Sequence, residues 1–222
     1  MCYNKKGRFM ITRVPLCFAF TLLFLLSGVS GAWSLSYLGV DLGLIFLGNA
    51  EEDSAPNPVI LQGVGVTFPV YQLDALTIEV GGLFYGTQYQ WLNNRASPAD
   101  IERADNFYVL SVQIDGRVMY EWKVSDQVDL GVSGGLTLAI RVPLFAWDEG
   151  EKYREDMTAY FLEGRFIYPQ AGGYVDWAIL EGIELRFSLR VFFPLYNLWS
   201  DEGMPFWDGG MVQGIVSMNF KL

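Results

Sequence analysis

Apolar and polar residues alternate with a period of two along most of this chain. The longest run covers residues 128–144. Val128, Leu130, Val132, Gly134, Leu136, Leu138, Ile140, Val142 and Leu144 fall on one face. Asp129, Gly131, Ser133, Gly135, Thr137, Ala139, Arg141 and Pro143 fall on the other. A period of two places successive side chains on opposite sides of a β-strand. The 17 residues of this run exceed the usual 5–6 about threefold. They also exceed the roughly 9–11 tilted residues with which a strand crosses a bilayer.

The same pattern predicts eight such strands. The first, 36–46, opposes Leu38, Val40, Leu42 and Leu44 to Gly39, Asp41 and Gly43. The second is 59–70, and the third, 76–91, sets Ile78 and Val80 against Glu79 and Gly81. The fourth, 107–122, puts Ser111, Gln113, Asp115, Arg117 and Glu121 on its polar face. The fifth is the long run above. The sixth is read at 158–168, with Tyr160, Leu162, Phe166 and Tyr168 opposite Glu163 and Arg165. The seventh, 182–195, carries Glu184, Arg186, Ser188 and Arg190 on its polar side. The eighth, 211–222, alternates Val212, Val216, Met218, Phe220 and Leu222 with Gln213, Ser217, Asn219 and Lys221.

Long polar connections at 47–58, 92–106, 146–157 and 196–210 alternate with shorter ones at 71–75, 123–127 and 169–181. That alternation is expected of an outer-membrane barrel, with long loops extracellular and both termini periplasmic. The tryptophans Trp33, Trp91, Trp122, Trp147, Trp177, Trp199 and Trp207 all fall at predicted strand ends or in connections. An indole has an apolar body and a single donor, so these positions predict an interfacial girdle.

The N-terminus reads as a targeting segment. Lys5, Lys6, Arg8 and Arg13 form a basic region, residues 14–26 are apolar, and Ser30-Gly31-Ala32 fits a cleavage site. The expected organisation is a signal peptide at 1–32 and a barrel at 33–222. Both cysteines, Cys2 and Cys17, lie in that segment, so the mature chain should hold no disulfide and no thiolate metal site. The segment takes four of the 15 basic residues and none of the 25 acidic ones, leaving 11 against 25, a net −14. Such a chain does not suit nucleic acid.

A soluble eight-stranded barrel of the lipocalin kind would share the alternation but point its apolar face inward. Gly31-Ala32-Trp33 even imitates the lipocalin Gly-x-Trp signature. Glycine-rich polar faces with few lysines, and bulky apolar residues on every strand, argue instead for lipid outside. The plan resembles the small eight-stranded outer-membrane proteins of diderm bacteria, the OmpW/OprG, OmpX and OmpA-barrel class. The resemblance implies a monomeric, all-β, antiparallel transmembrane barrel in outer-membrane lipid. It also implies delivery by periplasmic chaperones and insertion by the barrel-assembly machinery. The last strand looks like the C-terminal signal read by that machinery, with Phe220 and Leu222 on one face. For the OmpW-like members it implies passive passage of small molecules through a narrow lumen or a lateral opening.

Asp41, Glu79, Asp115, Arg117, Glu121, Arg141, Glu163, Arg165, Glu184, Arg186 and Arg190 are the charged residues expected to line the lumen; Asp129 and Lys221 fall on the same face. Arginine binds carboxylate by a two-point fork, so neighbouring strands can build a ladder of ion pairs. That ladder either plugs the barrel or lines a path for small solutes. A closed barrel whose loops bind host or envelope partners is the alternative to passage. No catalytic residue and no cofactor is expected: the chain has no histidine, the usual general base of Ser-His hydrolysis. Acid clusters at Glu51-Glu52-Asp53, at Asp148, Glu149 and Glu151, and at Asp201-Glu202 lack Ca²⁺-loop spacing, so no metal is expected either. Met204-Pro205-Phe206-Trp207 is an apolar knot in a charged loop, suited to an interfacial anchor or a partner contact.

Overall fold

The computed structural model describes residues 35–99, 106–146, 148–200 and 203–222, with backbone alone at 148–150. The expected signal peptide, Trp33 and Trp147 lie outside the described residues.

Each strand forms where the alternation runs: β1 (Tyr37–Leu47), β2 (Val59–Leu73), β3 (Leu76–Leu92), β5 (Phe107–Lys123), β6 (Val128–Ala146), β7 (Ile167–Leu180), β8 (Ile183–Phe192) and β9 (Met211–Lys221). A short β4 (Arg95–Pro98) folds back on the end of β3. Every neighbouring pair is antiparallel, and β1 pairs with β9 from Tyr37↔Lys221 to Leu47↔Met211, closing an eight-stranded barrel. Closure leaves no open sheet edge, which a strand sheet in lipid requires.

Short connections gather at one end, the turn end, with Asp74 and Gly182 at positive φ. Asn93 and Asn94 both adopt positive φ in the β3–β4 hairpin, as a two-residue turn of matching twist demands. The long connections gather at the opposite, loop end.

The apolar faces point outward. Val40, Leu42 and Leu44 of β1 are exposed, as are Leu136, Leu138, Ile140 and Val142 of β6 and Phe187, Leu189 and Val191 of β8. Asp41, Glu79, Asp115, Arg117, Asp176, Arg186 and Arg190 are buried inside. This is the reverse of a soluble barrel, and a continuous apolar belt of this extent suits hydrocarbon rather than water.

Two sequence readings are corrected. Residues 158–162, expected as strand, belong to α1 (Arg154–Leu162), which follows a 3-10 turn at Asp148–Tyr153. The strand in question is β7, most of which was expected to be a turn at 169–181. Its outward face includes Ala171 and Gly173, and its inward face includes the aromatic Tyr174, so the hydrophobic contrast is weak there. Helix α1 packs Met157, Tyr160 and Phe161 onto Tyr89, Ala96, Phe107 and Val109, forming a cap over the loop end.

Candidate functional site

The interior is stacked in layers. At the turn end a polar vestibule of about 220 Å³ opens, lined by Tyr37, Glu121, Asp129, Glu184, Arg186 and Lys221 among others. Lys221 Nζ lies 3.7 Å from Glu184 Oε2 at its rim.

Above the vestibule the ion pairs cross between strands. Glu79 of β3 is fully buried and accepts from Arg117 Nε of β5 at 2.8 Å and from Arg186 Nη1 of β8 at 2.7 Å. The Tyr37 hydroxyl also donates to Glu79. Arg186 completes a fork onto Asp176 of β7, with Nε and Nη2 each 2.7 Å from a carboxylate oxygen. The Arg186 guanidinium lies 4.7 Å from the Tyr174 ring centroid.

One layer further in, Arg190 Nη1 donates to Asp115 Oδ2 at 2.6 Å. Thr137 donates to the other Asp115 oxygen at 2.6 Å and accepts from Gln170 Nε2 at 2.9 Å. Thr67 of β2 donates to Asp41 at 3.4 Å, and Gln213 donates to Gln113 at 2.7 Å. Next comes an apolar layer of Ile45, Leu47, Leu61, Leu83, Tyr85, Tyr168, Phe192 and Met211. The cap lies beyond it.

The expected spacings set the residues on the right face; Glu79 with Arg117 and Asp176 with Arg186 pair between neighbouring strands, while Arg186 with Glu79 and Arg190 with Asp115 reach across the barrel. Asp41, Glu79, Asp115, Arg117, Arg186 and Arg190 meet in the ionic layers, and Glu121 and Glu184 line the vestibule. Arg141 sits higher, donating to the Tyr168 hydroxyl at 2.9 Å and the Arg165 carbonyl at 3.3 Å. Glu163 is a correction. It ends α1 rather than lying in a strand, and its side chain is 70% exposed, 3.7 Å from Arg165. Arg165 is buried in the cap, stacked 3.6 Å from the Tyr160 ring centroid, instead of on a barrel wall. Asp176 and Gln170 were missed because the pattern placed them in a turn.

Among the tryptophans, Trp122 and Trp177 are exposed on the outer wall at the turn end, and Trp199 and Trp207 are exposed in the β8–β9 connection. Trp91 departs from the expectation. It packs inside the cap, 6.3 Å from Tyr153 and 6.0 Å from Tyr160 between ring centroids. Phe220 projects from the outer wall of β9, and Leu222 is exposed beyond it.

At the loop end Asp208 joins three connections. It accepts from the Ala50 amide at 2.8 Å and from Arg95 Nη2 of β4 at 2.5 Å. On the 3-10 turn outside the barrel wall, the Glu151 carboxyl is held below its ordinary value by hydrogen bonds from Arg154, at 2.7 Å. Beside Trp207, an apolar groove of about 480 Å³ runs down the outer wall between Phe46, Val191, Phe193 and Val212. Phe192 and Met211, both buried, also line it.

No family model and no curated protein matches this sequence. Solved structures do. Neisserial surface protein A (NspA) superposes with a TM-score of 0.53 at 12% identity, over 85% of this chain and 98% of that one. Ail, the attachment invasion locus protein of Yersinia pestis, crystallised with the heparin analogue sucrose octasulfate, gives 0.44 at 6% identity, over 84% and 97%. A de novo designed transmembrane β-barrel gives 0.38 at 11%, over 85% and 98%. The likeness to NspA establishes the fold: an eight-stranded antiparallel transmembrane barrel of the small outer-membrane type.

Proposed function

We propose that this chain is a closed outer-membrane barrel that works through its capped loop end, and that the lumen carries no solute. The supporting observation is the filled interior. Arg190, Gln113 and Gln213 in the polar layers, and Ile45, Tyr168 and Phe192 in the apolar layer, are each at most 1% exposed. An eight-stranded barrel is just wide enough for its side chains, and here charged pairs and an apolar plug occupy it in series.

In this reading residues 1–32 are a signal peptide and the mature chain is a monomer. Periplasmic chaperones and the barrel-assembly machinery deliver it through a signal in β9 that includes Phe220 and Leu222. The termini and turn end face the periplasm, and the cap faces outward. The cap has the order expected of a recognition surface. Helix α1, β4 and the β8–β9 connection are held together by packed aromatics and by Asp208, while Leu198, Trp199, Phe206 and Trp207 remain exposed. Host or envelope molecules are its partners, the membrane lipid its solvent, and the reading assigns no enzymatic step.

Passage through the wall draws support from the lateral groove, but Phe192 and Met211, which line it, are buried and packed into the apolar layer. The experiment is conductance of the refolded barrel in a planar bilayer, with Arg141→Ala and Arg186→Ala alongside. A silent barrel that nonetheless migrates as folded supports the closed reading. Discrete openings altered by either substitution overturn it in favour of a lumenal path.

A further inference from the structure

Positive charge gathers under the cap, where Arg95 and Arg141 line one cavity and Asp208 is the carboxylate that the described residues place on its lining. A cavity of about 30 Å³ lies there between Arg95, Arg141, Arg165, Tyr89, Tyr160 and Asp208. Among the described residues, the lining thus carries the guanidiniums of Arg95 and Arg141 beside the single carboxylate of Asp208, with Arg165 held by partners of its own.

Two of the three have partners that account for them only in part or in full. Arg165 is paired with Glu163 and stacked on Tyr160. Arg95 is 7% exposed and gives Nη2 to Asp208, whose other oxygen accepts from Ala50; Glu51 lies 4.0 Å from Arg95 Nη1. The Nε of Arg95 is buried with no hydrogen-bond partner. Arg141 differs from both, because among the described residues no carboxylate lies within salt-bridge distance. Its two terminal nitrogens reach only a carbonyl and a tyrosine hydroxyl, and its Nε is buried without a partner.

A guanidinium does not lose its proton in a protein. Arg141 is half-buried with its Nε enclosed. A guanidinium so placed without a counter-charge among the described residues is unfavourable, and the rings of Phe161 and Tyr168, with centroids at 5.6 and 5.7 Å, offset only part of that. The missing element is an anion. One water needs about 10–15 Å³ of such space, so the cavity has room for a monatomic ion with at most a companion water, and none for a sugar or nucleotide phosphate.

We propose that the cavity under the cap binds a small inorganic anion of the halide class, held between the guanidiniums of Arg141 and Arg95. The ion neutralises the cluster and locks α1 and β4 over the apolar plug. The site is internal and independent of any partner of the outer cap surface. Bilayer conductance tests the closed-barrel reading separately from it.

The test is urea unfolding of the full folded barrel in detergent micelles, in sodium chloride and in sodium gluconate at equal ionic strength. At ten times the dissociation constant, chloride raises the folded-to-unfolded ratio about elevenfold. Bromide restores what gluconate removes, and Arg141→Gln, which needs no counter-ion, loses the dependence. Equal stability in chloride and gluconate overturns the proposal, as does a full chloride effect retained in Arg141→Gln. Should that variant fail to fold, bromide anomalous scattering from crystals of the unsubstituted chain decides. A peak within hydrogen-bond distance of Arg141 supports the site, and peaks elsewhere only overturn it.

Discussion

Arg186 on β8 reaches across the lumen to Glu79 on β3, 107 positions earlier in the chain, with Nη1 and Oε2 2.7 Å apart. The same Glu79 also holds Arg117, so one carboxylate anchors two cations that enter from different walls. Glu79→Gln keeps the shape but takes from Arg117 the carboxylate that pairs with it and leaves Arg186 with Asp176 alone of its two. Breaking such a buried cluster costs about 3–5 kcal/mol. Equilibrium urea unfolding in micelles should show a loss of this order. The double variant Glu79→Gln with Arg117→Met removes one charge of each sign and should recover the larger part. A single variant as stable as the parent would mean that water compensates the layer.

The outward apolar rows make a depth-dependent prediction. Leu136 lies mid-strand in β6, opposite Gly116 and Pro169, and is 57% exposed; Leu180 ends β7 at the turn end and is 65% exposed. In lipid, Leu136→Arg should cost about 2–4 kcal/mol and Leu180→Arg about 0–1 kcal/mol. Unfolding from phospholipid vesicles measures both. Equal costs at the two depths would contradict a belt centred on β6.

How much of this was legible in the sequence follows from where the two faces of a strand differ. Through the middle of β1, β3, β5, β6, β8 and β9 one face meets lipid and the other meets polar side chains, so alternation marks both. The contrast fails in β7, where outward Ala171 and Gly173 are small and inward Tyr174 is large. It fails again near the loop end of β1, where Ile45, Phe46 and Leu47 are all apolar because the interior has become an apolar plug. Helix α1 imitated a strand because Tyr160 and Leu162 sit two apart and continue in phase with Phe166 and Tyr168 beyond the helix. The charged layer was legible as composition and face. The pairings across the barrel, Arg186 with Glu79 and Arg190 with Asp115, were not, because alternation along one strand does not encode which walls face each other.

Glycines on the two faces should respond oppositely to a methyl group. A Cβ on inward Gly135 would stand 2.1 Å from the Gly116 carbonyl oxygen and 2.7 Å from the Arg117 Cα, while one on outward Gly116 would meet nothing within 4 Å. Backbone cannot yield as a side-chain tip can. Gly135→Ala should therefore cost about 1–3 kcal/mol, and Gly116→Ala should stay within about 0.5 kcal/mol of the parent. Paired unfolding curves check the difference, and a neutral Gly135→Ala would refute the close approach of β5 and β6.

Asp208 makes the last prediction, which concerns the cap rather than the wall. Its two oxygens bind the Ala50 amide in the β1–β2 connection and Arg95 in the β3–β4 hairpin, while the residue itself belongs to the β8–β9 connection. Three loops therefore share one buried carboxylate. Removing it leaves Arg95, among the described residues, with Glu51 at 4.0 Å, and an amide without its acceptor. Each loss favours local opening, by an amount comparable to breaking a buried pair, about 3–5 kcal/mol. The barrel below keeps its own strand pairing and need not unfold with the cap. Asp208→Ala should thus be cut by trypsin at Arg95 and in the neighbouring connections much faster than the parent. The core should still migrate as a folded, heat-modifiable barrel. Unchanged protease protection would mean that the aromatic packing of α1 on Tyr89 and Phe107 holds the cap without Asp208. Joint loss of cap and barrel would mean that the two unfold as one unit.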